Sequence, residues 1–309
     1  YDYRQHIIPY RISDRIPLLR RWDMNRLNQG LIKRIDKFRP DIFLGNWGGS
    51  YYPETIAEIK ERFNVITINW LIDFPGEPGA LEAAIKAVPS YDYFFAQSTD
   101  ALEVHEEHGN KGGMWLNAAC DPDIHKPQEL TEEEKEKYGS SVSFVGSMYP
   151  ERVKLFETLM DFDLSIWGPG WEKLDANSPL KKYIKGGSVT PDTWIKIYNA
   201  SKIVVNYMGN YGENIKEEKV YQASPRVFET LGCGSFQIVD GKRDVLSLFK
   251  SGEHLVCFKK IHEVKEQVKY YLNHPQERKE IAQKGHREVL EKHTYVHRIE
   301  ELLKAIGKS

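Results

Sequence analysis

Ser224-Pro-Arg-Val-Phe-Glu-Thr-Leu-Gly-Cys-Gly-Ser-Phe-Gln-Ile-Val-Asp240 runs from a helix start, through a short helix and a glycine turn, into an apolar strand. Ser224 suits the cap position and Pro225 the first helical position, where a missing N–H costs nothing. Phe236–Val239 is an apolar run of strand length. A helix handed directly to a strand is half of a βαβ unit, so the segment predicts a parallel α/β sheet.

The same alternation extends outward in both directions. Toward the C-terminus it predicts a strand at His254–Phe258 and helices at Ile261–Asn273, Pro275–Lys292 and Thr294–Ile306. Toward the N-terminus strands are expected at Lys202–Asn206, Leu164–Trp167 and Val142–Val145. Before these, NAACDPDIHKP (117–127) loses periodicity and gains prolines, which marks a linker. The charged stretch TEEEKEKYG (131–139) that follows it is expected to be a solvated helix. An earlier series then appears, with strands at Asp41–Gly45, Val65–Asn69, Tyr93–Ala96 and Met114–Leu116 and a proline-initiated helix at Pro53–Phe63. Two α/β series joined by a linker predict two doubly wound, Rossmann-like domains. Their ligands are expected beyond the carboxyl ends of the strands, in a cleft between the domains. The expected boundaries are 1–120, a linker at 121–138, 139–292 and a closing helix at 293–309. The chain opens at Tyr1 without the strand and glycine turn that normally begin such a domain, so a further strand and helix are expected ahead of it.

Composition narrows the function. The chain has 309 residues, 40% hydrophobic and 28% charged, with a formal net charge of −2. That balance fits a globular protein and gives no electrostatic reason to expect nucleic acid. No run approaches the roughly 20 apolar residues that span a bilayer. Cys120, Cys233 and Cys257 are few and scattered, which argues against a disulfide framework or zinc knuckle and for a cytoplasmic protein. The Asp161-Phe-Asp163 and Asp121-Pro-Asp123 pairs lie in a strand entry and in the linker. His293 and His297 have helical spacing but no third ligand, so no metal is expected. The arginines of the opening segment (Arg4, Arg11, Arg15, Arg20, Arg21, Arg26) are interleaved with acids and predict a solvated surface.

The chemistry is concentrated in the opening stretch. A helix N-terminus at Ser224 offers backbone N–H groups and partial positive charge to a phosphate. Arg226 in its first turn can add a two-pronged contact to phosphate oxygens, and Glu229, three residues on, can accept hydrogen bonds from ribose hydroxyls. A capped helix bearing an Arg226–Glu229 ion pair satisfies the same sequence. In the first series, Asp73 follows the apolar run VITINWLI. It can take a proton from an acceptor hydroxyl or steady positive charge on a sugar, or it can simply cap the next helix. Asn46 and Trp47 close a strand and can line an acceptor pocket. Trp47 and Trp70 can stack on a sugar ring or lie buried at their strand ends.

SPRVFETLGCGSFQIVD resembles the donor-binding motif of the GT-B glycosyltransferases, in the CgeB-like (spore-protein) branch of the group 1, GT4-type enzymes. VSFVGSMYPER (142–152), IWGPGW (166–171), SKIVVN (201–206) and HTYVHR (293–298) resemble the same branch in the same order. The resemblance implies a GT-B fold with a C-terminal helix that crosses back to the first domain. It also implies a retaining transfer from a UDP- or GDP-sugar to a glycan, protein or small-molecule acceptor, with no metal or other cofactor. By the family's motifs Glu229 matches a ribose-binding glutamate, whereas the paired glutamate's place is taken by Tyr221. Gly146 matches a glycine that approaches the sugar-phosphate. Arg152 matches a phosphate-binding lysine, and Ser147 replaces an arginine. Tyr183–Val189, with Lys185 and Gly186, matches the segment that holds the base, although a plain glycine turn between a strand and a helix fits it too. Arg152 by this resemblance, with Arg226 and Asp73 by their places in the helix's first turn and at a strand end, are the expected catalytic groups. A UDP-sugar epimerase of the same fold, or a non-catalytic sugar-nucleotide or glycan-binding protein, would carry a similar sequence.

Overall fold

The protein is described from a computed structural model, which defines residues 15–46, 51–71, 85–110, 112–209 and 221–308. It divides into two compact units, the first made of residues 1–117 with 304–308 and the second of residues 118–303.

In the first unit, helix α1 (Pro17–Phe38) leads to strand β1 (Ile42–Gly45), α2 (Pro53–Phe63), β2 (Ile66–Leu71), β3 (Tyr93–Ala96) and α3 (Thr99–Glu107). The strands form a parallel sheet in the order β1-β2-β3. Helix α1 was not foreseen from the sequence, because its apolar stripe (Leu27, Leu31, Ile32, Ile35) begins only after an arginine-rich exposed turn. Leu31, Ile32 and Ile35 of the stripe pack with Ile56 and Ile59 of α2 and with Phe43 and Phe94 of the sheet. Each such side chain, fully buried, contributes about 1.5–3 kcal/mol. The strand expected at Met114–Leu116 is absent. That segment touches β3 through a single bridge between Ala96 and Trp115, and its hydrogen bonds end at Leu116.

The second unit holds β4 (Ser140–Val145), β5 (Leu164–Trp167), β6 (Ile184–Gly186), β7 (Ser201–Asn206), β8 (Gln237–Asp240) and β9 (Val256–Phe258). Its helices are α4 (Glu132–Tyr138), α5 (Pro150–Glu157), α6 (Pro191–Ala200), α7 (Pro225–Gly232), α8 (Arg243–Leu248), α9 (Ile261–Asn273), α10 (Pro275–Lys292) and α11 (Tyr295–Ala305). The six strands are parallel and ordered β6-β5-β4-β7-β8-β9. This is the doubly wound order in which the chain reverses direction across the sheet, here between β4 and β7. All four residues of β5 and of β8 are buried, as fits a sheet covered on both faces. Helix α4 has no fully buried residue; a capping box between Thr131 and Glu134, the Glu134–Lys196 ion pair and Tyr138 packed against Trp167 hold it. Strand β9 is shorter than expected because His254 and Leu255 are taken into a turn closed on Lys250 and Ser251. Among the described residues no helix is long and apolar enough to cross a membrane.

Two loops cross tightly at the carboxyl ends of β4 and β5. Gly168, at φ 135°, lies so close to Gly146 that a Cβ would overlap the Gly146 carbonyl oxygen. The Trp171 indole then donates to that oxygen at 2.8 Å. A Cβ on Gly146 would stand 2.6 Å from the Phe144 ring. Glycine is therefore demanded at both positions, and the motif IWGPGW is explained by packing.

Each unit also buries a histidine. His105 is fully enclosed, with both ring nitrogens unbonded and its ring edge-on to Phe94. His293 packs between Phe228 and Phe249 and bonds Arg298 Nη2 at 2.7 Å. Burial holds both imidazoles down at about 4 rather than 6.5, helped at His293 by the Arg298 charge. Unfolded imidazoles take up protons near 6.5 and folded ones only near 4, so this stability is complete above about pH 6.5. It is lost progressively as pH falls toward 4, on the order of 3 kcal/mol for each histidine. Denaturant midpoints between about pH 7.5 and 5 should show that decline, and His105→Leu should flatten it; an unchanged slope would discard the assignment. Gly168→Ala should cost at least about 1–3 kcal/mol through backbone strain and overlap, seen as a lower midpoint in chemical denaturation. A wild-type midpoint would contradict the crossing.

Candidate functional site

At the reversal between β4 and β7, two adjacent strands send their connections to opposite faces and leave a crevice at their carboxyl ends. The loop after β4 carries Gly146 and Ser147, and the chain after β7 carries Tyr207 and Met208. Gly146 is fastened on both sides: its N–H donates to the Trp167 carbonyl at 2.8 Å while its own carbonyl holds Trp171.

Arg152, expected as a cation for the diphosphate, is committed elsewhere. It is only 3% exposed. Its guanidinium donates to the carbonyls of Tyr207 (2.8 Å), Ser147 (2.8 Å) and Met208 (3.2 Å). It also lies over the rings of Phe144 and Tyr149. A side chain that satisfies so many main-chain acceptors is a brace between the two loops, so the direct phosphate contact is corrected. Ser147 enters the site through its carbonyl.

Helix α7 brings Ser224, Arg226 and Glu229 to one place. Ser224 occupies the cap position, but its side chain makes no capping bond, contrary to the expectation. The first turn therefore keeps donor capacity that a capped helix would have spent. Arg226 and Glu229 are both half-buried, and no ion pair of 4.0 Å or less joins them among the described residues. Burial pushes the Glu229 carboxyl above its ordinary value, and the Arg226 charge pulls it partly back. The alternative of an intrahelical ion pair is thus not what this helix forms. Tyr221, ahead of the helix, accepts the Asp244 N–H at 2.9 Å, and the Arg243 guanidinium stacks on its ring at 4.9 Å.

Lys185 and Gly186 lie on β6, at the outer edge of the sheet. Lys185 is exposed, and the Gly186 carbonyl accepts the Gly168 N–H at 3.1 Å. The glycine loops thus link β6 to Gly146 through Gly168. Of the residues expected on the acceptor side, Asn46 is exposed at the end of β1. Trp70 is buried in β2, and its indole donates to the Leu116 carbonyl at 2.7 Å, so it is a core residue and not a stacking platform. Trp47 and Asp73 lie outside the described residues.

Asp240 was missed. It closes the apolar strand β8, the same pattern that singled out Asp73. Its Oδ1 accepts the Met208 N–H at 3.2 Å, and Lys242 Nζ lies 3.7 Å from Oδ2. Burial raises its carboxyl, against the nearby charges of Lys242 and Arg152. The two terminal histidines have structural partners: His297 Nδ1 meets Thr294 Oγ1 at 2.7 Å, and His293 meets Arg298.

Known proteins share this organisation. Residues 152–304 match the family described as glycosyl transferase-like. Spore protein CgeB of Bacillus subtilis (strain 168) is 22% identical over 273 residues, covering 85% of this chain and 82% of the relative. Anabaena Alr3699/HepE, solved in complex with UDP and glucose, superposes with a TM-score of 0.67 at 12% identity, over 92% of this chain and 81% of that one. Sucrose-phosphate synthase from Thermosynechococcus elongatus gives 0.69 at 9% identity, over 96% and 79%. The matched segment, a relative similar over most of the chain and the shared architecture agree: the chain is a glycosyltransferase with the GT-B fold, similar to spore protein CgeB.

Proposed function

We propose that the second unit binds a UDP- or GDP-linked sugar with its diphosphate against the N-terminus of α7. The observation that carries this is the helix start itself. Ser224 leaves the first turn without a side-chain cap, Arg226 stands in that turn, and Glu229 follows one turn later without an ion-pair partner among the described residues. A diphosphate there would meet N–H groups, the helix dipole and a guanidinium fork together. Ribose hydroxyls donating to Glu229 would offset the cost that burial imposes on its carboxylate. UDP is the favoured nucleotide because HepE, which shares the fold, holds it.

Catalysis on this reading is electrostatic. Arg226 and the helix N-terminus stabilise charge as it grows on the leaving diphosphate, Glu229 keeps the donor in register, and no metal is required. Retention of configuration follows from the family likeness. The acceptor, a glycan, protein or small molecule, is assigned to the first unit, with Asn46 beside it and Asp73 and Trp47 as further candidates. The first unit is proposed as the acceptor domain and the second as the donor domain. A cytoplasmic location is proposed with it, since all three cysteines are free thiols.

UDP at about 100 times its dissociation constant should add roughly 2.7 kcal/mol of stability in a thermal-shift titration. Absence of any shift with millimolar UDP or GDP would remove the donor assignment. Arg226→Ala should lower turnover by about 10²–10³-fold, measured as nucleotide release from a panel of UDP-sugars, with unfolding unchanged. Glu229→Ala should abolish transfer chiefly by weakening the donor. Full activity in either folded variant would take that residue out of the site.

A further inference from the structure

The main chain at Met208 is held from both sides by buried charges. Its N–H donates to Asp240 and its carbonyl accepts from Arg152. The same guanidinium holds the Tyr207 carbonyl and, across the reversal point, the Ser147 carbonyl in the loop after β4. Asp240 is 5% exposed, and its Oδ2 has no hydrogen-bond partner among the described residues. Gly209 follows at φ 67°, where the chain turns away from the strand.

Charged groups removed from water lose their solvation, and an apolar pair would fill the same space more cheaply. What an apolar pair cannot supply is direction. A planar guanidinium fixes several acceptors in one plane, and a carboxylate opposite it fixes the N–H of the same residue. We propose that Arg152 and Asp240 form a positioning pair. Together they lock the loops after β4 and β7 in a single register, so that the donor's diphosphate meets them preformed, while neither side chain touches the donor. This rests on the donor site proposed above.

Arg152→Lys separates the pair from a plain phosphate contact. A lysine keeps the point charge and would preserve most of a direct phosphate interaction, but its donors sit on one nitrogen and cannot reproduce the planar fork whose three nitrogens each hold a carbonyl. Turnover in Arg152→Lys should fall about 100-fold, measured as UDP release from a panel of UDP-sugars, while UDP affinity by calorimetry changes less than about threefold. Asp240→Asn keeps an acceptor for Met208 and loses the charge, so it should fall about tenfold. The double variant should lie within about twofold of Arg152→Lys alone, because both act on one peptide. Near-wild-type turnover in Arg152→Lys, a loss of UDP affinity matching the loss of turnover, or additive losses in the double variant would each overturn the pair. Asp240→Asn at wild-type turnover would do so even if Arg152 variants failed to fold. If the wild-type chain itself took up no UDP, the donor site would fall first and the pair with it. Wild-type binding and release beside indifferent variants would remove the pair alone.

Discussion

A parallel sheet covered on both faces leaves its strands only their ends for polar chemistry. In the second unit the middles of β4, β5, β7 and β8 are enclosed among side chains such as Val142, Ile166, Val205 and Ile238. A polar group there is costly unless paired within the protein: Asn206 Nδ2 donates to Thr230 Oγ1 and Gln237 Oε1, while Ser143 Oγ in β4 has no hydrogen-bond partner among the described residues. The carboxyl ends are different. Main-chain carbonyls and N–H groups emerge there from the ladder, and where the connections diverge between β4 and β7 neither helical layer covers them. The site is the consequence of that geometry.

Those emerging groups are satisfied in two distinct ways. Around Gly146 the chain satisfies itself, through Trp167, Gly168, Gly186 and the Trp171 indole, and it can do so only because glycines let the backbones touch. Around Ser147 and Met208 the partners are charged side chains brought from α5 and β8. Glycine contact is compact but fixes only local shape. Charged braces cost solvation, yet they tie together segments as far apart in sequence as Ser147, Met208 and Asp240. The start of α7 follows neither pattern, since its cap position makes no side-chain bond.

The strand pattern was legible in the sequence nearly throughout. Runs such as Leu164–Trp167 and Tyr93–Ala96 are apolar, short and bounded by turns, and they form strands with the expected limits. Helices opened by proline, Pro53–Phe63 and Pro275–Lys292, also match residue for residue. Met114–Leu116 failed because an apolar triplet has no ladder without a partner edge along its length. Helix α1 went unseen because an exposed Arg-Arg-Trp turn hides the stripe behind it.

Sequence alone determined the alternating α/β series, the helix start at Ser224 and the family likeness, because periodicity, caps and motif order are local and survive translation into one dimension. Only the tertiary structure decided which charges are available. Arg152 and Arg226 look interchangeable in a sequence, as two arginines near helix starts. One is buried against three carbonyls and the other stands half-exposed in a first turn. Asp240 acquires a partner 32 residues away in Met208, and Trp70 spends its indole on Leu116. Hydrogen-bond satisfaction depends on which distant segments meet, and no local pattern encodes that meeting.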